Sequence, residues 1–142
     1  MKGSSDLLSS ILKTTQMGQV GIRAVLRAEL NPHLRKALHD QLAEYDKLEY
    51  EAHVIAQQKG WELEELNPLV KKMSTMMTKS RLSFGFVDSK AAAMMINGNT
   101  RGMIKSLKNL NHYDHSDPAI EELAKKLLKC EENNIRQVQE FV

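Results

Sequence analysis

The most chemically loaded spacing in the chain is Glu131-x-x-Asn134. Alternating steps of four and three residues from Ile120 pass through Ala124, Leu127, Glu131, Asn134, Val138 and Phe141. That is the a/d seam of a helix that faces the interior of a helical packing. A carboxyl and an amide on one such face have two uses. They contribute to an oxygen-rich cation site, or they fix the register of neighbouring helices by hydrogen bonding. If Glu131 is buried without a cation, desolvation raises its pKa and leaves it protonated or hydrogen-bonded, with Gln19, Asn99 or Tyr45 as the expected partners.

Three other segments place polar groups on their inward faces near mid-length: Gln19 in the first, Tyr45 and, on the adjoining ridge, Glu49 in the second, Asn99 in the fourth. The candidate metal residues are therefore Glu131 and Glu49, with Gln19, Asn99 and Asn134 as neutral neighbours. His112, Asp114 and His115 form a second cluster, in a stretch whose composition reads as a turn with solvated side chains. The lone Cys130 excludes an intramolecular disulfide and reads as a small filler beside the seam. No Ser-His-Asp set, phosphate-cradling glycine loop or Cys-x-x-Cys is present, and Gly18-Gln-Val-Gly21 falls in mid-helix. The expectation is a protein that is not an enzyme.

The elements that carry these residues are marked by three Asx-Pro pairs, Asn31-Pro32, Asn67-Pro68 and Asp117-Pro118. Each joins a strong N-cap residue to the residue best suited to the first helical position. With a start near Asp6, capped by Ser4 or Ser5, and another at Asp88 or Ser89, the spacing predicts helices over about 6–30, 32–59, 68–83, 88–111 and 118–141. The predicted seams are Leu8, Leu12, Thr15, Gln19, Ile22, Leu26 and Glu29, then Leu34, Leu38, Gln41, Tyr45, Leu48, Ala52 and Ile55, then Ala92, Ile96, Asn99, Met103, Leu107 and Leu110. The short connection at Leu30-Asn31 makes the first two helices an antiparallel hairpin. The third, with its stripe Met73, Met76 and Met77, is a crossover to a second hairpin. That stripe suits the core or a dimer interface, and alternatively a protein partner or a membrane surface.

Bulk properties agree with one all-α domain over 1–142. Hydrophobic residues make up 42%, charged residues 27% and aromatics 5%, with 8 methionines, a balance that favours helix over sheet. A net charge of +2 from 20 basic and 18 acidic residues argues against nucleic acid as a partner in the absence of a clustered basic face. No apolar run reaches the ~20 residues of a membrane span, and Leu7-Leu-Ser-Ser-Ile-Leu12 is broken by hydroxyls where a signal core would be apolar. The expected location is cytoplasmic and the expected assembly a homodimer.

The pattern resembles the ferritin-like superfamily: two helical hairpins joined by a long crossover, with inward polar groups at mid-height. The segments Met94-Met-Ile-Asn-Gly-Asn-Thr-Arg-Gly102 and Cys130-Glu-Glu-Asn-Asn-Ile135, and the pair Tyr45-Asp46, are similar to those of small uncharacterised bacterial members. The resemblance implies an antiparallel four-helix bundle over nearly the whole chain. In di-iron members, two helices each supply a Glu and two each supply Glu-x-x-His. Here Asn134 stands where His would be, and Gln19 and either Asn99 or Asn97 stand where Glu would be. The resemblance thus implies a degenerate site, with no cofactor as the first expectation and iron or manganese at a reduced site as the alternative.

Overall fold

In the computed structural model, which describes residues 3–113 and 117–142, each Asx-Pro pair starts a helix. The side chains of Asn31 and Asn67 accept hydrogen bonds from the backbone N–H groups of His33 and Leu69, each at 2.8 Å. Asp117 accepts from Ala119 at 3.1 Å and from Ile120 at 3.5 Å. These contacts satisfy donors that have no partner inside the helix. They open α2 (Pro32–Lys59), α3 (Pro68–Arg81) and α5 (Pro118–Val138), the last followed by a 3-10 turn, Gln139–Phe141. The other two helices are α1 (Ser4–Val25) and α4 (Val87–His112). Among the described residues the fold is all-α, and no helix is long and apolar enough to cross a membrane. Of the cluster His112, Asp114 and His115, the last two lie outside the described residues.

Several boundaries differ from those the sequence predicts, among them the end of α3 at Arg81 and that of α5 at Val138. α1 ends at Val25 rather than near 30. Its connection to α2 is held by other elements: Arg35 donates to the carbonyl of Ala28, and Asn31 N–H donates to Asp88 Oδ1 at 2.8 Å. Asp88, expected at the start of its own helix, lies in the first turn of α4 and also serves this connection. α4 starts one residue earlier, behind Phe86, whose backbone is left-handed at φ 51. Likewise α1 starts behind Gly3 with no side-chain cap, rather than behind a capping serine.

Side-chain hydrogen bonds fix the neighbours. Gln16 and Gln19 of α1 meet Glu49 and Asp46 of α2. Gln41 and Glu51 of α2 meet Gln137 and Lys126 of α5. Asn99 and Ser106 of α4 meet Asn134 and Glu131 of α5. Asn109 of α4 meets Ser10 of α1 at 2.9 Å, while Gly21 faces Met95. In every pair, rising numbers on one helix meet falling numbers on the other, so these neighbours run antiparallel. The seams predicted for α1, α2 and α5 are buried from Leu8 to Ile22, Leu34 to Ala52 and Ile120 to Val138.

The seam predicted for α4 is buried at Ala92 and Asn99, half-buried at Ile96, Met103 and Leu110, and lost at Leu107, which is 42% exposed. Met95 is buried beside it, and in the second half of the helix Ser106 and Asn109 are buried. The inward face of this half-helix is small and polar because it meets Glu131, as shown below.

Between α2 and α3 the chain runs as an extended strap along α1. Gly60, at φ 68, ends α2 in the left-handed conformation that glycine adopts without strain. Lys59 there reaches Asp117 at 2.6 Å, a contact that holds the Asp117 carboxyl below its usual range. Glu64 N–H then donates to Ser9 Oγ at 3.1 Å, and Leu66 N–H donates to Gln16 Oε1 at 2.8 Å. The Gln16 amide nitrogen donates to both Glu49 and Glu65 at 3.1 Å. One buried glutamine therefore ties α1, α2 and the strap together. Gln16→Ala is expected to lower stability by about 1–3 kcal/mol by leaving these groups unpaired. Hydrogen exchange should show lost protection at the Leu66 amide, with the α5 amides unaffected; undiminished protection at Leu66 would refute this role for Gln16.

Candidate functional site

At mid-height Tyr45, Asn99 and Asn134 form a closed knot. Tyr45 Oη donates to Asn99 Oδ1 at 2.9 Å. The amide of Asn134 donates to the same Asn99 oxygen at 3.2 Å and to Tyr45 Oη at 3.3 Å. Asn99 Nδ2 turns back to the carbonyl of Met95 at 2.8 Å. Three helices, α2, α4 and α5, are thereby bonded through one point. Burial raises the pKa of Tyr45, with the nearby Cys130 and Glu131 adding to the rise, so the phenol stays a donor. Gly18 of α1 supplies the room. A Cβ there would stand 2.5 Å from the Tyr45 ring, closer than any carbon contact allows.

Glu131 sits one turn of α5 from Asn134 and is only 1% exposed. Its Oε1 accepts from Ser106 Oγ at 2.8 Å. Its Oε2 lies against the backbone of α4 at Gly102, 1.7 Å from where a Cβ would be. Burial pushes its pKa up to about 8, partly offset by the Ser106 hydrogen bond. The expectation of a raised pKa is thus met, while the bonding partner is Ser106 rather than Gln19, Asn99 or Tyr45. Ser106 is the site residue that sequence reasoning missed. The available signal was its spacing: steps of three and four from Asn99 pass through Gly102, Ser106 and Asn109.

The second candidate carboxyl belongs to a different set. Glu49 Oε1 accepts from Gln19 at 3.2 Å and its Oε2 accepts from Gln16. Gln19 also donates to Asp46 at 2.9 Å. Gln19 is therefore directed to the α1–α2 contact, and the five candidate residues divide into two bonded pairs, Gln19 with Glu49 and Asn99 with Asn134, with Glu131 bonded to neither. Among the described residues Glu131 and Glu49 share no hydrogen-bond partner. Among the described residues no three of His, Cys, Asp and Glu are grouped closely enough to hold a metal ion. A pair of iron or manganese ions needs several anionic oxygen donors, and amides supply no charge. This donor set does not fit such a centre. Cys130, half-buried beside Asn134, has its thiol pushed up to about 11 by burial, which removes thiolate reactivity.

Two cavities adjoin the polar layer. One, of about 710 Å³, lies between α1, α3 and α4 and is lined at its inner side by Tyr45, Asn99 and Glu131. The other, of about 540 Å³, lies between α2 and α5 beside Gln41 and Cys130. Gln41 donates to Gln137 at 2.9 Å, while its own Oε1 is buried with no partner among the described residues.

Alanine in place of glycine normally stabilises a helix by up to ~1 kcal/mol. Gly102→Ala is expected to do the reverse, by about 1–3 kcal/mol, because the new methyl displaces the Glu131 carboxyl. In a Glu131→Ala background the same change should become neutral or stabilising. Additive effects in a double-mutant cycle would refute the contact.

The pH dependence has a definite sign. An unfolded Glu titrates near ~4.3, and Glu131 in the fold titrates near 8. Between these values the folded state holds the extra proton. The stability contributed by the neutral, buried form is complete below the unfolded pKa and is lost as pH rises through the folded one, at up to ~1.4 kcal/mol per pH unit. Urea unfolding from about pH 5 to about pH 9 should show this fall in the wild type and a smaller one in Glu131→Gln, with the variant gaining on the wild type towards high pH. Parallel profiles would refute a raised pKa. Comparison of the chain with protein-family models, with curated proteins and with solved structures finds no match.

Proposed function

We propose that the chain is a ferritin-like antiparallel four-helix bundle of two helical hairpins, joined by the α3 crossover, that acts as a non-enzymatic structural or interaction protein. A neutral polar layer stands where di-iron members hold metal. The observation that carries this reading is the closed knot of Tyr45, Asn99 and Asn134. Its donors are matched to acceptors within the knot or on adjacent backbone. Such a layer selects one helix register, because any slip leaves buried amides unpaired. The single adjoining carboxyl is bonded to Ser106 and held neutral by burial. Protein purified without chelator and then offered ferrous iron or manganese is expected to hold no stoichiometric metal and to melt at an unchanged temperature. Stoichiometric metal that is lost in Glu131→Gln would overturn the proposal in favour of a reduced carboxylate site at Glu131 and Glu49.

A homodimer is the assembly that the outer face of α3 favours. Leu69 is 62% and Met76 66% exposed, while Lys72 and Lys79 beside them are also exposed. Exposed apolar side chains on one face mark contact surfaces when they are contiguous. Sedimentation is expected to show a dimer for the wild type and a monomer for Leu69→Glu/Met76→Glu. A wild type that is monomeric at high micromolar concentration would exclude this assembly.

A further inference from the structure

The cleft between α1, α3 and α4 has the size, lining and charge of a ligand site. At about 710 Å³ it falls within the ~300–1,000 Å³ of small-molecule pockets. Its walls are thioethers and methyls: Met17 and Ile22 from α1, Val70 and Met77 from α3, Met94 and Met95 from α4. Its charged lining is one-sided. Lys13, Arg81, Arg101 and Lys105 line it, and the sole carboxyl is Glu131. Lys13 is already engaged by Glu64 at 2.6 Å. Arg81 and Arg101 are exposed and make no ion pair among the described residues.

Glu131 is an independent pointer to an occupant. It is buried, it lines the cleft, and its Oε2 accepts no hydrogen bond from the described residues. Burial favours the neutral acid there, so the inner side adds little negative charge to a cavity whose remaining charges are positive. A cationic ligand would meet two unpaired guanidinium groups, whereas an anionic head group would be paired by them, since Arg presents a planar fork that matches a carboxylate. The apolar walls then take a hydrocarbon tail, and the unbranched methionine side chains adapt to it. α3 is suited to cover such a tail, since Thr78 is its one buried residue and it packs chiefly on α1.

We propose that this cleft binds a free single-chain fatty acid, with its carboxylate at Arg81 and Arg101 and its chain between the glycine-bearing faces of α1 and α4, under Val70 and Met77. This goes beyond the structural reading of the polar layer, and it stands or falls separately from the metal test.

The probe is laurate, titrated calorimetrically into delipidated full-length protein below its micelle concentration, with dodecylamine and anionic phospholipid vesicles in parallel. One laurate per chain is expected, with affinity rising about fourfold for each methylene added between octanoate and laurate. Dodecylamine should bind at least about tenfold more weakly. Gly98 lines the cleft, and a Cβ there would have no atom within 4 Å, so Gly98→Phe should plug the cleft and abolish binding. Arg81→Gln/Arg101→Gln changes two exposed side chains and serves should the plugged variant fail to fold; it should weaken laurate about tenfold or more and leave dodecylamine no weaker. Four results would overturn the proposal: no saturable laurate binding, binding untouched by either variant, dodecylamine preferred over laurate, or binding to vesicles without binding of monomeric laurate.

Discussion

The burial of one carboxyl, that of Glu131, is the constraint on which the interior depends. Moving an ionised carboxylate out of water is far more costly than any packing gain it brings, so the group is kept neutral and given a hydrogen bond. Ser106 provides the bond and Gly102 provides the space. Both come from α4, which explains why that helix turns a small, polar face inward over its second half. Its apolar residues are displaced outward as a result: Ile104 is 47% and Leu107 42% exposed. α4 and α5 are thus matched by shape and hydrogen bonding in this region, whereas α1 and α2 are matched to the core by aliphatic bulk.

The polar layer contributes more to uniqueness than to stability. A net hydrogen bond is worth about 0.5–1.5 kcal/mol, whereas an orphaned buried partner costs about 1–3 kcal/mol. Sliding α5 by one turn against α2 and α4 would preserve much apolar contact along Leu123, Leu127 and Val138. It would also strand the amides of Asn99 and Asn134 and the hydroxyl of Tyr45 together. The same logic repeats nearer one end, where Asn109 meets Ser10, and along the α1–α2 contact, where Gln16 and Gln19 meet Glu49 and Asp46. Each contact joins a different pair of helices, so the registers are specified separately.

How much of this is legible in the sequence depends on how local the cause is. The Asx-Pro starts are local, and all three stand where the side-chain chemistry puts them. The seams of α1, α2 and α5 follow apolar periodicity and are buried over most of their length. The end of α1 is not local: Asp88 and Arg35 hold the turn from other helices, and nothing near Leu26 announces them. The second half of α4 misleads for a related reason. A rule that sends apolar residues inward selects Met103 and Leu107, while the governing fact is a carboxyl on another helix. Gln19 is on the buried face, as its seam position implies, but its partners come from a neighbouring edge rather than from the centre. The inward direction of a polar residue is readable from spacing; the identity of its partner is not.

The glycines separate what packing requires from what it does not. Gly18 and Gly102 are forced: a methyl at either would overlap Tyr45 or Glu131. Gly98 is one helical turn from Gly102 and has no such neighbour. Glycine in a helix interior gives up ~1 kcal/mol relative to alanine, and at position 98 no contact within the fold recovers that loss. What the missing side chain leaves is depth in the cleft beneath α3. The strap places α3 there through Ser9 and Gln16, leaving most of the helix's surface out of the core. A helix that served as connection alone would be expected to bury its apolar side fully. Here Val70, Met73 and Met77 line a cavity whose inner side is the polar layer itself, so the least packed helix of the fold stands over its most tightly specified residues.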